Sequence, residues 1–166
     1  MAFDAFLKIQ TIPGECQDDK HQGWIEILAF NHGVLQPAKS QAALSTGRAP
    51  VEMGEHQDFS VTKFLDKSSP KLSLACSNGQ MIGDLTIELI RTVGDKIRFM
   101  EYRMSICHVK SATISGLPDG KAEQPVEEVT FGYDKIQWTY TELDPATHAK
   151  SGDTMAHWDL KTRQGG

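Results

Sequence analysis

The sequence predicts a mainly β fold, a barrel or a sandwich, accompanied by one short helix. Three observations predict it. Hydrophobic and polar residues alternate along most of the chain, one segment alone has helical spacing, and turn residues separate the alternating runs. The 166 residues are 39% hydrophobic and 23% charged, which suits a single domain, residues 1–166.

Composition and charge exclude several classes of protein. The net charge is −5, whereas a protein that binds a nucleic-acid backbone is usually basic. No apolar run approaches the roughly 18 residues that a membrane helix needs. The N-terminal residues lack a basic segment followed by an apolar one. We therefore expect no nucleic-acid partner, no membrane insertion and no secretory signal.

The three cysteines do not indicate a catalytic or metal-binding function. Cys16, Cys76 and Cys107 are too widely spaced for a disulfide framework or a structural zinc site. Free cysteine commonly packs as a small hydrophobic residue. We expect Cys76 and Cys107 to be buried thiols.

Two hydrophobic runs in the N-terminal part of the chain predict strands. Residues 3–9 alternate imperfectly, and residues 24–30 form a β-branched and aromatic run typical of a well-buried strand. Residues 17–22, between them, are polar and predict a loop. Residues 37–56 contain two prolines and two glycines without a sustained period, which is typical either of a functional loop or of a solvated insertion.

The helix follows a third strand. Residues 58–65 alternate and predict that strand. Asp66 or Ser69 can cap the helix, and Pro70 suits its first turn. The Asn-Gly pair at 78–79 supplies a left-handed stop.

A hairpin is predicted in the middle of the chain. Residues 85–89 and 100–106 alternate, and a Gly-Asp pair at 94–95 lies between them. The inward face of the second strand is predicted to carry the alternate hydrophobic residues Met100, Tyr102, Met104 and Ile106, opposite Glu101, Arg103 and Ser105. We therefore place Tyr102 and Met104 inside the fold.

The last long hydrophobic run changes parity within itself. One parity is shared by Val129, Phe131 and Tyr133, and the other by Ile136, Trp138 and Tyr140. One extra residue near 134–135 restores a single buried face, which indicates either a bulge or a strand that bends between sheets.

No recognisable catalytic or metal-binding pattern is present. The six histidines lack ligand spacing and are interpreted as surface or packing residues. Glu127 and Glu128 are adjacent in a strand and point to opposite faces, so they form a poor acid–base pair. Asp18 and Asp19 fit a solvated turn. We expect no catalytic residue, no cofactor and no metal ion.

Several segments, taken in order, resemble the Hcp proteins of the bacterial type VI secretion system. They are residues 2–9, 14–21, 23–28, 56–72, 75–79, 127–131, 135–140 and 158–161. The most specific segment is 56–72, which leads into the predicted helix. Together the segments extend over nearly the whole chain.

The resemblance implies an antiparallel β-barrel of two sheets with one short flanking α-helix and a long extended loop, similar to a phage tail tube. It implies a structural protein, since catalysis in this family belongs to fused toxin domains, for which we expect no room before Gly166. The implied partners are further copies in homo-hexameric rings that stack into tubes, a spike protein at the tube tip, a contractile sheath and small effector proteins in the lumen. The implied location is the bacterial cytoplasm, followed by type VI secretion without a signal peptide.

Two sets of site residues follow from the resemblance. The long loop is the candidate ring-stacking element, less Gly-rich here than in many members, with the candidate residues Gln41, Leu44, Thr46, Arg48 and Val51. Asn31 is the candidate lumen residue, because the side of the 24–32 strand that carries it becomes polar there. The alternative is that Asn31 only ends a strand, since Asn and the nearby Gly33 favour turns.

Two other functions stay open on the sequence. One is a monomeric β-barrel that binds a small ligand, which requires a closed apolar cavity. The other is a catalytic domain whose site is assembled from scattered residues.

Overall fold

Antiparallel strands make up most of the structure, a computed structural model that describes residues 2–37 and 53–166. The mainly β prediction is confirmed. The described strands are β1 (Asp4–Ile9), β2 (Ile25–Ile27), β3 (Ala29–Asn31), β4 (Val34–Leu35), β5 (Glu55–His56), β6 (Phe59–Phe64), β7 (Met81–Val93), β8 (Asp95–Ser115), β9 (Val126–Gly132), β10 (Lys135–Leu143), β11 (Lys150–Asp159) and β12 (Gln164–Gly165). The helix α1 spans Ser69–Asn78.

The long strand β8 organises a ten-stranded sheet. It pairs with β7 from Asp95 to His108, with β10 through its first half and with β9 through its last part. Beyond β7 lie β1 and β2, beyond β9 lie β6 and β3, and beyond β10 lie β11 and β12. The short strands β4 and β5 pair with each other as a separate two-stranded sheet.

The predicted strand at 24–30 is broken at Leu28, which corrects the prediction of one continuous strand. Its first part, β2, pairs with β1, and its second part, β3, pairs with β6. At the break, the Leu28 amide donates to the Thr62 carbonyl at 2.7 Å. Instead of the predicted barrel of two sheets, the structure has one ten-stranded sheet that folds over itself. Among the described residues β2 and β3 do not pair, so the sheet does not close into a barrel.

The parity change in the last long run is a bend, one of the two alternatives that the pattern left open. Strand β9 pairs with β6 and with the second half of β8, the chain bends at Asp134, and β10 continues in the same direction along the first half of β8. The Asp134 amide donates to the Ser105 carbonyl at 3.1 Å and holds the bend on β8. The inward prediction for Tyr140 is wrong: its side chain is 45% exposed, and its neighbours Thr139 and Thr141 are buried instead.

The core lies between the folded halves of the sheet. Its fully buried side chains include Leu7, Ile25, Phe59, Leu72, Ile82, Leu85, Ile87 and Phe131. Met104 and Cys107 are buried as predicted, while Tyr102 and Cys76 are only half-buried.

A bulge in β8 reverses the predicted orientation of Ile106. Leu85 pairs with Met104 but Gly83 pairs with Cys107, so β8 has one residue more than β7. Ile106 takes up the extra length at φ 57° and is 41% exposed. Glu101, predicted on the polar face, is 3% exposed because other charged groups cover it.

The helix begins after a loop that supplies its own polar contacts. Pro70 lies in the first turn, and Gly79 ends the helix at φ 68° with its amide donating to Ala75. The N-cap is Ser68, neither of the predicted residues. Asp66 accepts hydrogen bonds from the Ser68 amide and hydroxyl, which fixes the chain as it enters the helix.

Candidate assembly surface

Strand β11 is exposed on both of its faces. From Lys150 to His157 all residues are exposed except Gly152, which is half-buried. On its outer edge, β12 pairs with Trp158 and Asp159, and no other strand of the described chain pairs there. A strand with an open edge and two uncovered faces is a ready template for association with another chain.

Both faces of the β10–β11 ribbon carry a large exposed side chain. Met155 is 59% exposed, and its cross-strand partner is Thr139. Tyr140 is 45% exposed, and its partner is Thr154. Because side chains alternate between faces along a strand, Tyr140 and Met155 lie on opposite faces. We call β11 and this pair of side chains the β11 edge.

The main path of the strand order has its other end at β2. Strand β2 forms a ladder with β1 only. Next to it, Leu28 is 51% exposed and Phe3 is 49% exposed, with the Phe3 ring packed edge-on against Phe30 and Phe99. We call β2, Leu28 and Phe3 the β2 edge. Single exposed hydrophobic residues are ordinary, but here two of them lie together beside the last strand of the main path.

A chain of charged groups holds the polar loop on the sheet, which corrects the prediction of a solvated turn at Asp18. His21 is 2% exposed, and its two ring nitrogens each lie 2.8 Å from a carboxylate, that of Asp18 and that of Glu88. The ring stacks on Phe6 with centroids 4.2 Å apart. The hydrogen bonds that the Asp18 carboxylate accepts from Lys96 and from His21 lower its pKa to about 2.

The same chain continues across β7 and β8. Arg98 contacts both Glu88 and Glu101, and the Arg103 Nε lies 2.9 Å from the second oxygen of Glu101. Burial raises the pKa of Glu101, against the opposing effect of the two arginines. This network was missed in the sequence, where only the three-residue spacing of Asp18 and His21 hints at it.

A second buried network anchors the helix. The Lys63 ammonium lies within 3.2 Å of the Phe64 carbonyl and of side-chain oxygens on Asp66, Ser69 and Glu127. Glu127 is fully buried and Glu128 is exposed, so the predicted opposite orientations are confirmed. These contacts explain why Lys, Asp and Ser recur around the segment that precedes the helix.

The predicted site residues divide into two groups. Asn31 is the last residue of β3, is exposed and pairs with Ser60, so its position is compatible with both interpretations in the sequence analysis. Gln41, Leu44, Thr46, Arg48 and Val51 lie outside the described residues. Within residues 2–37 and 53–166 no cluster of three metal-binding side chains occurs. No helix in this part of the chain has the length and apolarity to cross a membrane.

Comparison with known proteins identifies the family. The profile of a family described as "Type VI secretion system effector, Hcp" matches residues 6–140. The chain belongs to this Hcp family, a family of structural secretion proteins, and is a type VI secretion protein.

Relatives from bacteria match over most of the chain. Protein hcp1 of Pseudomonas aeruginosa is 28% identical over 163 residues, which cover 97% of each chain. The "Major exported protein" of the same species is 27% identical over 133 residues, covering 76% of this chain and 74% of the relative. The name of the second relative and the family description both indicate secretion.

Solved structures match the whole fold. A structure described as a type six secretion system protein is 30% identical, with a TM-score of 0.90 over 99% of this chain and all of that one. Hcp1 from Salmonella typhimurium has a TM-score of 0.77 at 24% identity, over 99% of both chains, and supports the fold.

Proposed function

We propose that this chain forms hexameric rings that stack into the inner tube of a type VI secretion system and carry small effector proteins in the lumen. The observation that carries the proposal is the pair of unlike surfaces at the two ends of the main strand path, the β11 edge and the β2 edge. Family membership supports the tube, the spike protein at its tip, the contractile sheath around it and export by the system itself from the bacterial cytoplasm.

Unlike edges favour a closed ring. When a surface on one copy contacts a different surface on the next, each added copy exposes the same unused pair of surfaces. Rotation between copies then closes the series into a ring. The β11 edge and the β2 edge have this relation, since they lie at opposite ends of the strand order. A tube subunit also needs no reactive pocket.

The alternative of a small-ligand barrel finds no support in the described core. The inward side chains of β1, β2, β7 and β8 are buried against one another and form one continuous hydrophobic cluster. A ligand barrel needs open space at these positions.

Assembly is tested by sizing with light scattering, followed by electron microscopy of the purified protein. We expect particles far larger than one chain and annular images with an open centre. The variant Met155→Glu places a charge on the β11 edge and should reduce the particle to a monomer. The control is Leu117→Glu, because Leu117 is 75% exposed and lies in the connection between β8 and β9, which belongs to neither edge. A wild-type monomer at high concentration would overturn the proposal.

A mixing experiment tests the head-to-tail arrangement. Leu28→Glu damages the β2 edge and leaves the β11 edge intact, whereas Met155→Glu does the reverse. Each variant alone should be monomeric, and the mixture should give a dimer, because one intact edge remains on each partner. Absence of a dimer in the mixture, with both variants folded, contradicts pairing between these two edges.

Ring stacking is proposed to depend on the long loop. Deleting residues 41–51 should leave the ring intact but abolish tubes and secretion, because an insertion at the rim of a ring can reach the next ring. Tubes and secretion that persist after the deletion would show that another element stacks the rings.

Asn31 is proposed to face the lumen near one mouth. Asn31→Gln keeps a neutral amide and should leave ring size unchanged while lowering the amount of effector that co-purifies. Asn78→Gln is the matched control, because Asn78 is also exposed but lies at the end of the helix. If Asn31→Gln breaks the ring, the residue is structural and the lumen assignment fails.

A further inference from the structure

Two histidines lie together where the 38–52 segment joins the fold. His32 follows β3, and His56 ends β5, with ring centroids 6.5 Å apart. The strands β4 and β5 form a short stem in which Val34 pairs with His56 and Leu35 pairs with Glu55. The Gln57 amide donates to the Gly33 carbonyl at 2.9 Å and closes the base of this stem.

Aromatic rings surround His32. Its ring stacks on Phe59 with centroids 5.2 Å apart and meets Tyr133 and Tyr102 edge-on. Both ring nitrogens are buried, and neither has a hydrogen-bond partner of normal geometry among the described residues. A buried imidazole without an acceptor is held in its neutral form, because water is not there to solvate the charge.

A specific hydrogen bond fixes the tautomer of His56. The Tyr133 hydroxyl donates to the Gln57 carbonyl at 3.0 Å, so its oxygen accepts from the His56 Nδ1, 3.3 Å away. A second proton therefore has to enter at Nε2. The ring lies parallel to Trp158, with centroids 6.2 Å apart, and close to Trp138.

Nearby charged groups do not neutralise an added charge on this pair. Glu55 and Arg163 line the groove beside His56 and oppose each other in sign. Asp58, which precedes β6, forms an ion pair with Lys110 at 2.8 Å. The neighbouring groups on the other elements are uncharged: the phenols of Tyr102 and Tyr133 and the rings of Phe59, Trp138 and Trp158.

We infer that His32 and His56 form an acid-sensitive latch that holds the β4–β5 stem on the main sheet at neutral pH. Protonation puts positive charge on two adjacent rings inside an aromatic cluster, which favours separation of the stem from the sheet. Burial lowers the pKa of both histidines, and for His32 the neighbouring His56 lowers it further against a weaker opposing effect of the Gln57 main chain.

The sign of the pH effect follows from these directions. Below the ordinary histidine pKa of 6.5, a released stem binds protons that the closed stem does not. The latch is therefore fully closed above about pH 6.5 and weakens as the pH falls toward the lowered pKa values of the two histidines. At still lower pH both states are protonated and the loss is complete.

Tryptophan emission of the full chain between pH 8 and pH 5 tests the latch, with particle size checked at each pH. The background variant is Trp24→Phe, because Trp24 contacts His21. We expect a reversible change with a midpoint below pH 6.5, and faster amide exchange in β4 and β5 while the other strands stay protected. The double variant His32→Phe with His56→Phe should abolish this pH transition. The single variant His56→Gln, which should weaken the transition, provides the test if the double variant folds poorly.

The control is His148→Asn, which removes an exposed histidine from a left-handed position that asparagine tolerates. It should behave like the background variant. The inference is overturned if the transition persists in both His56 variants, if the background shows none, or if all strands lose protection together. Since the readouts are local, they are independent of whether rings form.

Discussion

Lys63 and Glu127 are both fully buried, and the Lys63 Nζ lies 2.9 Å from the Glu127 Oε2. The two residues face each other across the β6–β9 ladder, where Lys63 pairs directly with Glu127. Ser69 at the start of the helix donates to the same carboxylate oxygen at 2.7 Å. One ion pair therefore joins two strands and the helix.

Removing one partner of this pair should be severely destabilising. Lys63→Met leaves a buried carboxylate without its counter-ion, which costs about 3–5 kcal/mol in the free energy of unfolding. The measurement is urea denaturation of the variant and the wild type. Glu128→Gln, at the adjacent exposed position, is the control and should change stability by less than about 0.5 kcal/mol.

The double variant Lys63→Met with Glu127→Leu separates charge from packing. Because it removes both charges, it should recover most of the stability that Lys63→Met loses. A double variant as unstable as the single one would mean that hydrogen bonds to Ser69 and Asp66, rather than the ion pair, dominate.

Met104→Ala should lower the free energy of unfolding by about 2–5 kcal/mol, because Met104 is 1% exposed in the core. The matched control is Met81→Ala, since Met81 is 51% exposed on the neighbouring strand. Denaturation should show a change below about 0.5 kcal/mol for the control. Equal effects of the two substitutions would contradict the assigned orientation of β8.

Asp18→Asn should flatten the acid limb of the stability profile. The pKa of Asp18 is about 2 in the folded chain, against an ordinary value of 3.8. The ionised carboxylate therefore stabilises the fold above about pH 4, and this contribution is lost as the pH falls through about 2. The measurement is the difference between wild type and variant in urea denaturation from pH 5 to pH 2. Asp19→Asn, at the exposed neighbour, should leave the slope unchanged.

Ile106→Gly should raise the stability of the isolated subunit. Ile106 is a β-branched residue at φ 57°, a conformation that costs an L-residue roughly 1–2 kcal/mol and that glycine adopts freely. We expect a gain of about 1 kcal/mol in thermal or urea denaturation. Ile114→Gly, at a similarly exposed position in regular strand, should instead destabilise. A loss in both variants would show that packing of Ile106 outweighs its backbone strain.

The sequence predicted the elements whose cause is local. Gly94 at φ 77° lies in the predicted hairpin turn, and Gly79 ends the helix as predicted, since both positions need a left-handed backbone. The alternation in β8 correctly predicted that Met104 points into the core, and this prediction holds up to the bulge at Ile106. These features depend on neighbours a few residues apart, which a single sequence displays directly.

The polar interior could not be predicted in this way. Lys63 lies at an inward position of its strand. Its charge can be buried there because Glu127, which is 64 residues away in the sequence, supplies the counter-ion. His21 likewise contacts Glu88 across 67 residues. Periodicity predicts which face of a strand a residue occupies. Whether a charged residue can be buried on that face depends on an oppositely charged residue that strand pairing places beside it.

The sequence by itself determined the strand-rich fold, the helix and its C-terminal end, the change of parity before β10 and the resemblance to the Hcp family. Only the tertiary structure decided where the run at 24–30 breaks, since Leu28 must leave β1 to reach Thr62 on β6. It also decided which edges of the sheet remain open, because strand order is a property of pairing between distant segments. Open edges arise from that order, and so the surface proposed for assembly became visible only in three dimensions.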